Sequence, residues 1–126
     1  MKKGPNYNLK PSINIQSFGK VDNEEVHVIT LQNQNTTTFQ CITYGAIWHS
    51  LILKDKNKKN IDVVVAPKNI KGYIDQYLST PYFFGACIGR YAGRISNGKI
   101  NVKGKNYNLE KEGGDMPLHS GEQGLG

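Results

Sequence analysis

Residues 26–44 read VHVITLQNQNTTTFQCITY, and this stretch decides the fold. In both of its halves, 26–32 and 36–44, apolar or β-branched side chains alternate with polar ones, which is the period of a strand with one buried face. The polar residues 33–35 between the halves have the composition of a turn. The stretch therefore predicts two antiparallel strands joined as a hairpin.

Segments with the same alternation flank this hairpin on both sides. The full set of strands predicted in the first half of the chain is 13–18, 26–32, 36–44, 46–54 and 61–65. Turn residues separate them at 21–23, 33–35, Gly45 and 56–60. Short strands at hairpin spacing indicate an all-β protein built on an antiparallel sheet.

The second half of the chain is less regular. Residues 67–81 are rich in tyrosine, and Tyr73 and Tyr77 stand four apart, which fits either one helical turn or a packed loop. Residues 82–88 form an apolar, strand-like run. Farther on, 99–102 and 105–109 predict a second hairpin that turns at Lys103-Gly104.

Composition limits the classes of partner. The formal net charge is +6, but the positive residues are scattered, and the one cluster, at residues 54–59, contains Asp55 and Asn57. We interpret this cluster as a solvated loop, so neither nucleic acid nor a membrane is predicted as a partner. No secretory leader or membrane span is expected after Met1-Lys2-Lys3.

The two cysteines, Cys41 and Cys87, lie in apolar stretches without the spacing of a metal site. We predict two buried free thiols and a reducing, cytoplasmic compartment. The glycine-rich end, residues 112–126, offers no recognisable closing element, so we expect the chain to stop inside a fold.

Residues 93–99 satisfy the spacing G-x-x-x-x-G-K of a phosphate-binding loop. Ile100 stands where that motif needs Ser or Thr, and a hairpin pattern follows instead of a helix. We therefore predict no nucleotide site, and no cofactor.

Arg90 and Arg94 are the only arginines among 16 basic residues, and both lie in one glycine-punctuated stretch. This usage indicates that the five-donor guanidinium fork is needed there. We predict a structural role for Arg90, whereas for Arg94 a structural and a binding role are equally well supported by the residues alone.

The histidines differ in context. His27 and His49 lie in predicted strands and are interpreted as surface or half-buried residues, so no metal site is predicted. His119 lies in a loop after Pro117, where a ring nitrogen can be presented to a ligand or can serve the loop itself.

Several segments, in this order, resemble the N-terminal part of the aldose 1-epimerase (galactose mutarotase) family, from about residue 17 onward. They are Tyr44-Gly45-Ala46-Ile47 with Leu51 and Asp55, Asp62-Val63-Val64-Val65, Tyr82-Phe83-Phe84-Gly85-Ala86, Gly89-Arg90-Tyr91-Ala92-Gly93-Arg94-Ile95, Asn97-Gly98-Lys99, Gly104-Lys105 and Leu118-His119.

The resemblance implies an antiparallel β-sandwich of the galactose mutarotase-like type, of which residues 1–126 would form a single domain that is incomplete at its C-terminal end. It also implies a cofactor-free isomerase that interconverts the α and β anomers of a hexose such as galactose or glucose. The family's catalytic acid, a histidine, and its base, a glutamate, lie beyond the matched region. No catalytic residue is therefore expected in this chain, and the chain alone is expected to be inactive.

The resemblance assigns substrate binding to Gly93, Arg94 and His119. Arg94 matches the arginine of an A-N-R motif and His119 the histidine of an L-H-G-G motif, both of which hold sugar hydroxyls. Gly93 stands in place of the motif's asparagine and Ser120 in place of its first glycine, which puts the substrate preference in question.

Two other functions stay open on the sequence. One is a non-catalytic carbohydrate-binding β module or a truncated remnant. The other is a small basic nucleic-acid-binding domain. The sequence supports it poorly, because few aromatic residues lie between the basic ones.

Overall fold

The computed structural model describes residues 10–79, 83–109 and 119. Residues up to Ala86 form one compact unit, and residues from Cys87 onward form a second. The first unit holds strands β1 (Ser12–Val21), β2 (Glu24–Gln32), β3 (Thr38–Ile42), β4 (Ile47–Lys54) and β5 (Asn60–Asp62), and helix α1 (Ile70–Ser79). The second holds a 3₁₀ turn at Ser96–Gly98 and strands β6 (Lys99–Val102) and β7 (Lys105–Asn108).

The five strands of the first unit form one antiparallel sheet in chain order, so each strand pairs with its sequence neighbour. This meander confirms the five predicted strands and the antiparallel all-β class. Asp22 and Asn23 between β1 and β2 both have positive φ, of 48° and 69°. That conformation matches the twist of a two-residue hairpin, and Asp and Asn tolerate it better than most residues.

Asparagine and aspartate side chains close the two longer hairpins. The Oδ1 atom of Asn33 accepts the backbone N–H groups of Asn35 and Thr37 at 2.9 and 3.0 Å. Asp55 acts in the same way between β4 and β5, since its Oδ1 accepts the N–H groups of Asn57 and Lys59 at 2.8 and 2.7 Å. These side chains satisfy backbone donors that the ladders leave free, which explains why the turns fall at these residues.

One face of the sheet carries the core of the first unit, together with α1. The buried hydrophobic residues are Val26, Val28, Ile42, Ile47 and Tyr73. Tyr73 lies on α1, which decides the alternatives left open for residues 67–81 in favour of a helix of ten residues. The helix begins after Asn69, whose Oδ1 accepts the N–H of Gly72 at 2.9 Å as an N-terminal cap.

Two irregularities in the strands direct side chains toward this helix. The register skips Phe18 in β1 and His49 in β4, so both residues stand opposite no partner. Two residues stand opposite one at a bulge, which breaks the alternation of side chains and increases the local twist of the strand. The Phe18 ring lies 4.9 Å from the His49 ring and 6.3 Å from the Tyr73 ring, measured between centroids. The two bulges thus help to anchor α1 on the sheet.

The opposite face of the sheet is apolar and exposed. The register places Ile13, Leu31, Phe39 and Leu51 in one row across four strands, and Ile15, Ile29, Cys41 and Trp48 in the next. Ile13 is 72% exposed and Trp48 is 50% exposed. The Phe39 and Trp48 rings meet edge to face at 5.0 Å. This apolar face has no covering layer among the described residues.

In the second unit, β6 and β7 form the predicted hairpin. The phosphate-loop spacing at residues 93–99 leads through the 3₁₀ turn into β6, so the hairpin predicted to follow it is the one observed. The prediction of a strand-like run at 82–88 is wrong for its described part, since 83–88 form no strand. A turn closes there instead, with the Ala86 N–H donating to the Phe83 carbonyl at 3.2 Å.

Both cysteines are free, as predicted, but the prediction that both are buried is wrong. Cys41 is half-buried, and Cys87 is exposed because its segment has irregular backbone and no strand packing. Among the described residues, no helix is long and apolar enough to cross a membrane.

Candidate functional site

The candidate site lies in the second unit and consists of Gly93, Arg94 and His119. Gly93 is half-buried and has a φ of 72°, in the left-handed region that glycine adopts without strain. A Cβ atom built on Gly93 would meet no atom of the described residues within 4 Å. This position therefore has room for a side chain, and only its backbone conformation restricts which residues fit.

Gly93 and His119, which are 26 residues apart, are joined by two hydrogen bonds. The backbone N–H of Gly93 donates to Nδ1 of the His119 ring at 3.1 Å. The backbone N–H of His119 donates in return to the Gly93 carbonyl at 3.2 Å. The two segments that the sequence singled out are thus brought together, with the histidine ring held by the backbone of the glycine.

Arg94 follows Gly93 in the sequence, and its side chain is exposed. It has no ion pair or hydrogen-bond partner among the residues that the structure describes. A free guanidinium offers five N–H donors in a planar fork, which suits recognition of hydroxyl or carboxylate oxygens.

Arg90 was predicted to be structural. Its side chain is also exposed, and the described part of the chain provides neither a carboxylate nor a carbonyl partner for it. The predicted structural role therefore gains no support, and it remains a prediction.

His27 and His49 lie in the first unit, and both are half-buried in strands, as predicted. Nδ1 of His49 lies 2.9 Å from the Tyr73 hydroxyl oxygen. Burial lowers the pKa of His49, and the negative charge of Asp62 opposes this effect only partly. His49 is thus a packing and hydrogen-bonding residue at the helix.

A polar network around Asp62 was not predicted. Ser50, which is buried, donates its hydroxyl to Asp62 Oδ2 at 2.6 Å, and Asp62 Oδ1 accepts the N–H groups of Leu51 and Val64 at 3.1 and 3.0 Å. Burial alone would raise the pKa of Asp62, but these hydrogen bonds and the nearby His49 outweigh it and lower that pKa. The network satisfies the backbone donors of Leu51 in β4 and of Val64, two residues after β5.

Metal ligands do not cluster in the described ranges, since no three His, Cys, Asp or Glu side chains converge there. Arg94 can present hydrogen-bond donors at the candidate site, and so can a ring nitrogen of His119. Such donors can hold a polyhydroxylated ligand, but they do not form an acid and base pair.

Comparison with known proteins identifies the family. The family model described as aldose 1-epimerase matches residues 27–125. The chain is 32% identical over 106 residues to an aldose 1-epimerase of Haemophilus influenzae, covering 84% of this chain and 29% of that protein. It is 36% identical over 84 residues to a galactose mutarotase of Bos taurus, covering 67% of this chain and 23% of that protein.

Among solved structures, a galactose 1-epimerase of Lactobacillus acidophilus superposes with a TM-score of 0.65 at 22% identity. The superposition covers 91% of this chain and 33% of that chain, and it shows the galactose mutarotase-like fold. The chain belongs to the aldose 1-epimerase family, which confirms the resemblance noted in the sequence. It spans less than a third of the length of the two curated relatives described above.

Proposed function

We propose that this chain supplies the sugar-holding residues of an aldose 1-epimerase, an isomerase that interconverts the α and β anomers of hexoses such as galactose and glucose. The observation that carries the proposal is the pairing of Gly93 with His119, together with the exposure of Arg94, which follows Gly93 in the sequence and has no partner among the described residues. Two motif positions that the family resemblance assigns to substrate binding are thereby within one small region of the second unit.

The reaction needs a base to take the proton of the anomeric hydroxyl while an acid protonates the ring oxygen. The bond between the anomeric carbon and the ring oxygen then breaks, the resulting carbonyl group rotates, and the ring closes on its other face. Each positioned proton-transfer group contributes roughly 10² to 10⁴ in rate. We assign neither role to a residue of this chain, and no cofactor is needed for the proton transfers.

In this proposal, the Arg94 guanidinium donates hydrogen bonds to one or two hydroxyl oxygens of the sugar, and His119 donates one more. Hydrogen bonds from a charged donor contribute about 1.5 to 3 kcal/mol, so Arg94 is expected to supply the larger share. Gly93 contributes backbone only, since it lacks the amide side chain of the A-N-R motif.

We propose further that residues 1–126 form the N-terminal part of a β-sandwich. The exposed rows of Ile13 and Ile15 on the apolar sheet face support this, because a second sheet would cover them. The two free cysteines support a reducing compartment, and we propose the cytoplasm.

Two measurements on the 126-residue chain test the proposal. In an NMR titration with galactose, we expect changes in the chemical shifts of Gly93, Arg94 and their neighbours. Mannitol, an open-chain polyol, serves as the negative control. Polarimetry of freshly dissolved α-galactose should give the buffer rate with or without the chain. A galactose titration without shifts in the second unit would refute the binding role, and a protein-dependent mutarotation rate would refute the absence of the catalytic pair.

A further inference from the structure

We propose that the two ring nitrogens of His119 have separate tasks: Nδ1 is reserved for the backbone of Gly93, and Nε2 is thereby fixed as a hydrogen-bond donor toward an acceptor oxygen of the ligand. Gly93 is accordingly a positioning residue that acts through its main chain. The ligand half of this inference rests on the proposed function, whereas the assignment of Nδ1 does not.

The direction of the hydrogen bond at Nδ1 follows from the donor. A backbone N–H can only donate, so Nδ1 of His119 must accept with its lone pair at 3.1 Å. In a neutral imidazole one nitrogen accepts and the other carries the proton. The Gly93 N–H therefore selects the tautomer with the proton on Nε2.

The backbone of His119 is held in a sparsely populated conformation by the same contact. Its φ is 49°, in the left-handed region, which few non-glycine residues adopt. The reciprocal bond from the His119 N–H to the Gly93 carbonyl, at 3.2 Å, ties this conformation to Gly93. Two bonds between the same two residues fix the loop and the ring together, which suits a side chain that must point one way.

Nε2 is the ring nitrogen that remains for a ligand. The His119 side chain is exposed, and none of the described residues bonds Nε2. Since Nε2 carries the proton, it donates, and its partner must be an oxygen lone pair on a sugar hydroxyl or on the sugar ring. Arg94 also can only donate. The site is thus specialised for acceptor oxygens.

Asparagine and glutamine separate the two tasks experimentally. The Oδ1 atom of asparagine reaches about as far as Nδ1 of histidine and can accept from Gly93, but no atom reaches the place of Nε2. The Nε2 amide of glutamine reaches about as far as the histidine Nε2 and can donate there. His119→Asn should therefore preserve the contact with Gly93, whereas His119→Gln should preserve the contact with the ligand.

The test combines a tautomer measurement with a titration. Long-range ¹H–¹⁵N correlation spectra of the 126-residue chain at about pH 8.5, where an ordinary imidazole is neutral, report which nitrogen carries the proton. The His119 signals are assigned from their loss in His119→Gln. Galactose titrations of the wild type, His119→Asn, His119→Gln and the control His27→Asn give the dissociation constants.

We expect a His119 ring protonated at Nε2, about a tenfold loss of galactose affinity in His119→Asn, and affinity within about threefold of the wild type in His119→Gln and His27→Asn. A proton on Nδ1 would overturn the inference whatever the titrations show. A proton on Nε2 with unchanged affinity in His119→Asn would overturn the donor role alone. Failure of the wild type to bind galactose would reject the proposed function and the donor role, while the tautomer would still decide the role of Gly93.

Discussion

His49 and Tyr73 join the sheet to its helix through one hydrogen bond: Nδ1 of the imidazole lies 2.9 Å from the phenol oxygen. The contact lies at the bulge in β4, where the register skips His49, and its Tyr73 partner on α1 is almost completely buried, at 1% exposure. The stability of the first unit should therefore respond to changes at either residue.

The first prediction concerns pH. Because the pKa of His49 is lowered in the folded chain, the unfolded chain binds a proton more readily, and stability falls as the pH drops below about 6.5 toward the folded pKa. Above that pH the contribution is fully present. Melting temperatures between pH 8 and 5 should therefore decline in the wild type and decline less steeply in His49→Gln.

Asp62 affects the stability in a separate pH range. Its pKa is lowered from 3.8, so its contribution is present above that value and is lost only as the pH falls below it. Asp62→Asn should change the slope below about pH 4, and because it removes the charge that raises the His49 pKa, it should also steepen the decline between pH 8 and 5. Equal slopes for the wild type and His49→Gln between pH 8 and 5 would contradict the role given to His49.

The second prediction concerns Tyr73. Tyr73→Phe keeps the ring but leaves Nδ1 of His49 without its partner, which should cost about 0.5 to 1.5 kcal/mol of unfolding free energy. Tyr73→Ala removes a buried aromatic ring and should cost about 3 to 5 kcal/mol. Urea unfolding measures both values. Lys71→Ala breaks only the exposed ion pair with Asp75 and serves as control, with an effect within about 1 kcal/mol. If Tyr73→Ala cost no more than this control, α1 would not be anchored as described.

The third prediction concerns Gly93. Since its φ is 72° and its Cβ would meet no atom, Gly93→Asn should fold almost as well as the wild type, whereas Gly93→Val should lose about 1 to 2 kcal/mol from backbone strain. Gly104, with a φ of 82° and equally open space, is the matched control and should show the same pair of stability effects. Melting curves of the Asn and Val variants at Gly93 and at Gly104 measure these stability effects.

Galactose binding should distinguish the two glycines. Gly93→Asn restores the amide of the A-N-R motif and should raise the affinity by up to about tenfold, because one neutral hydrogen bond contributes about 0.5 to 1.5 kcal/mol. Gly104→Asn should leave the affinity unchanged. An equal effect of both variants would show that position 93 is not special for the sugar.

The fourth prediction concerns the exposed apolar face. Ile13→Thr with Ile15→Thr should reduce self-association of the chain, because both side chains are more than half exposed there and form part of a continuous apolar surface. Sedimentation velocity measures the change. Val28→Thr, on the buried face, is the contrast and should destabilise the fold by about 1 to 3 kcal/mol. Unchanged self-association in the double variant would mean that the chain does not self-associate through this face.

The sequence predicted what depends on local chemistry. The strands and their turns follow from side-chain alternation and from residues such as Asn33 and Asp55, whose side chains act within four residues of themselves. Residues 67–81 were not assigned, because the helix there owes its place to Asn69 as a cap and to burial of Tyr73 against the sheet, and the latter is a tertiary effect. The bulge at His49 has no local signal at all.

The candidate site, too, could be predicted from the sequence only in part. Arg94 and His119 stand out in the sequence through unusual arginine usage and through a loop context, and the family resemblance assigns them to the sugar. The hydrogen bonds between Gly93 and His119 could not be predicted, because they use the main chain of Gly93, which leaves no trace in residue identity, and join residues 26 positions apart. The exposure of Cys87 escaped prediction for the reason that its apolar neighbours do not form a strand.

The central claim is that Arg94 holds a sugar, and the most direct measurement is the dissociation constant of galactose for the wild-type chain, Arg94→Lys and Arg90→Lys. Lysine keeps the charge but loses the planar fork, so Arg94→Lys should weaken binding by about 10- to 100-fold without lowering the melting temperature. Arg90→Lys should bind as the wild type does and lose stability instead. Normal galactose affinity in Arg94→Lys, together with a lowered melting temperature, would contradict the account.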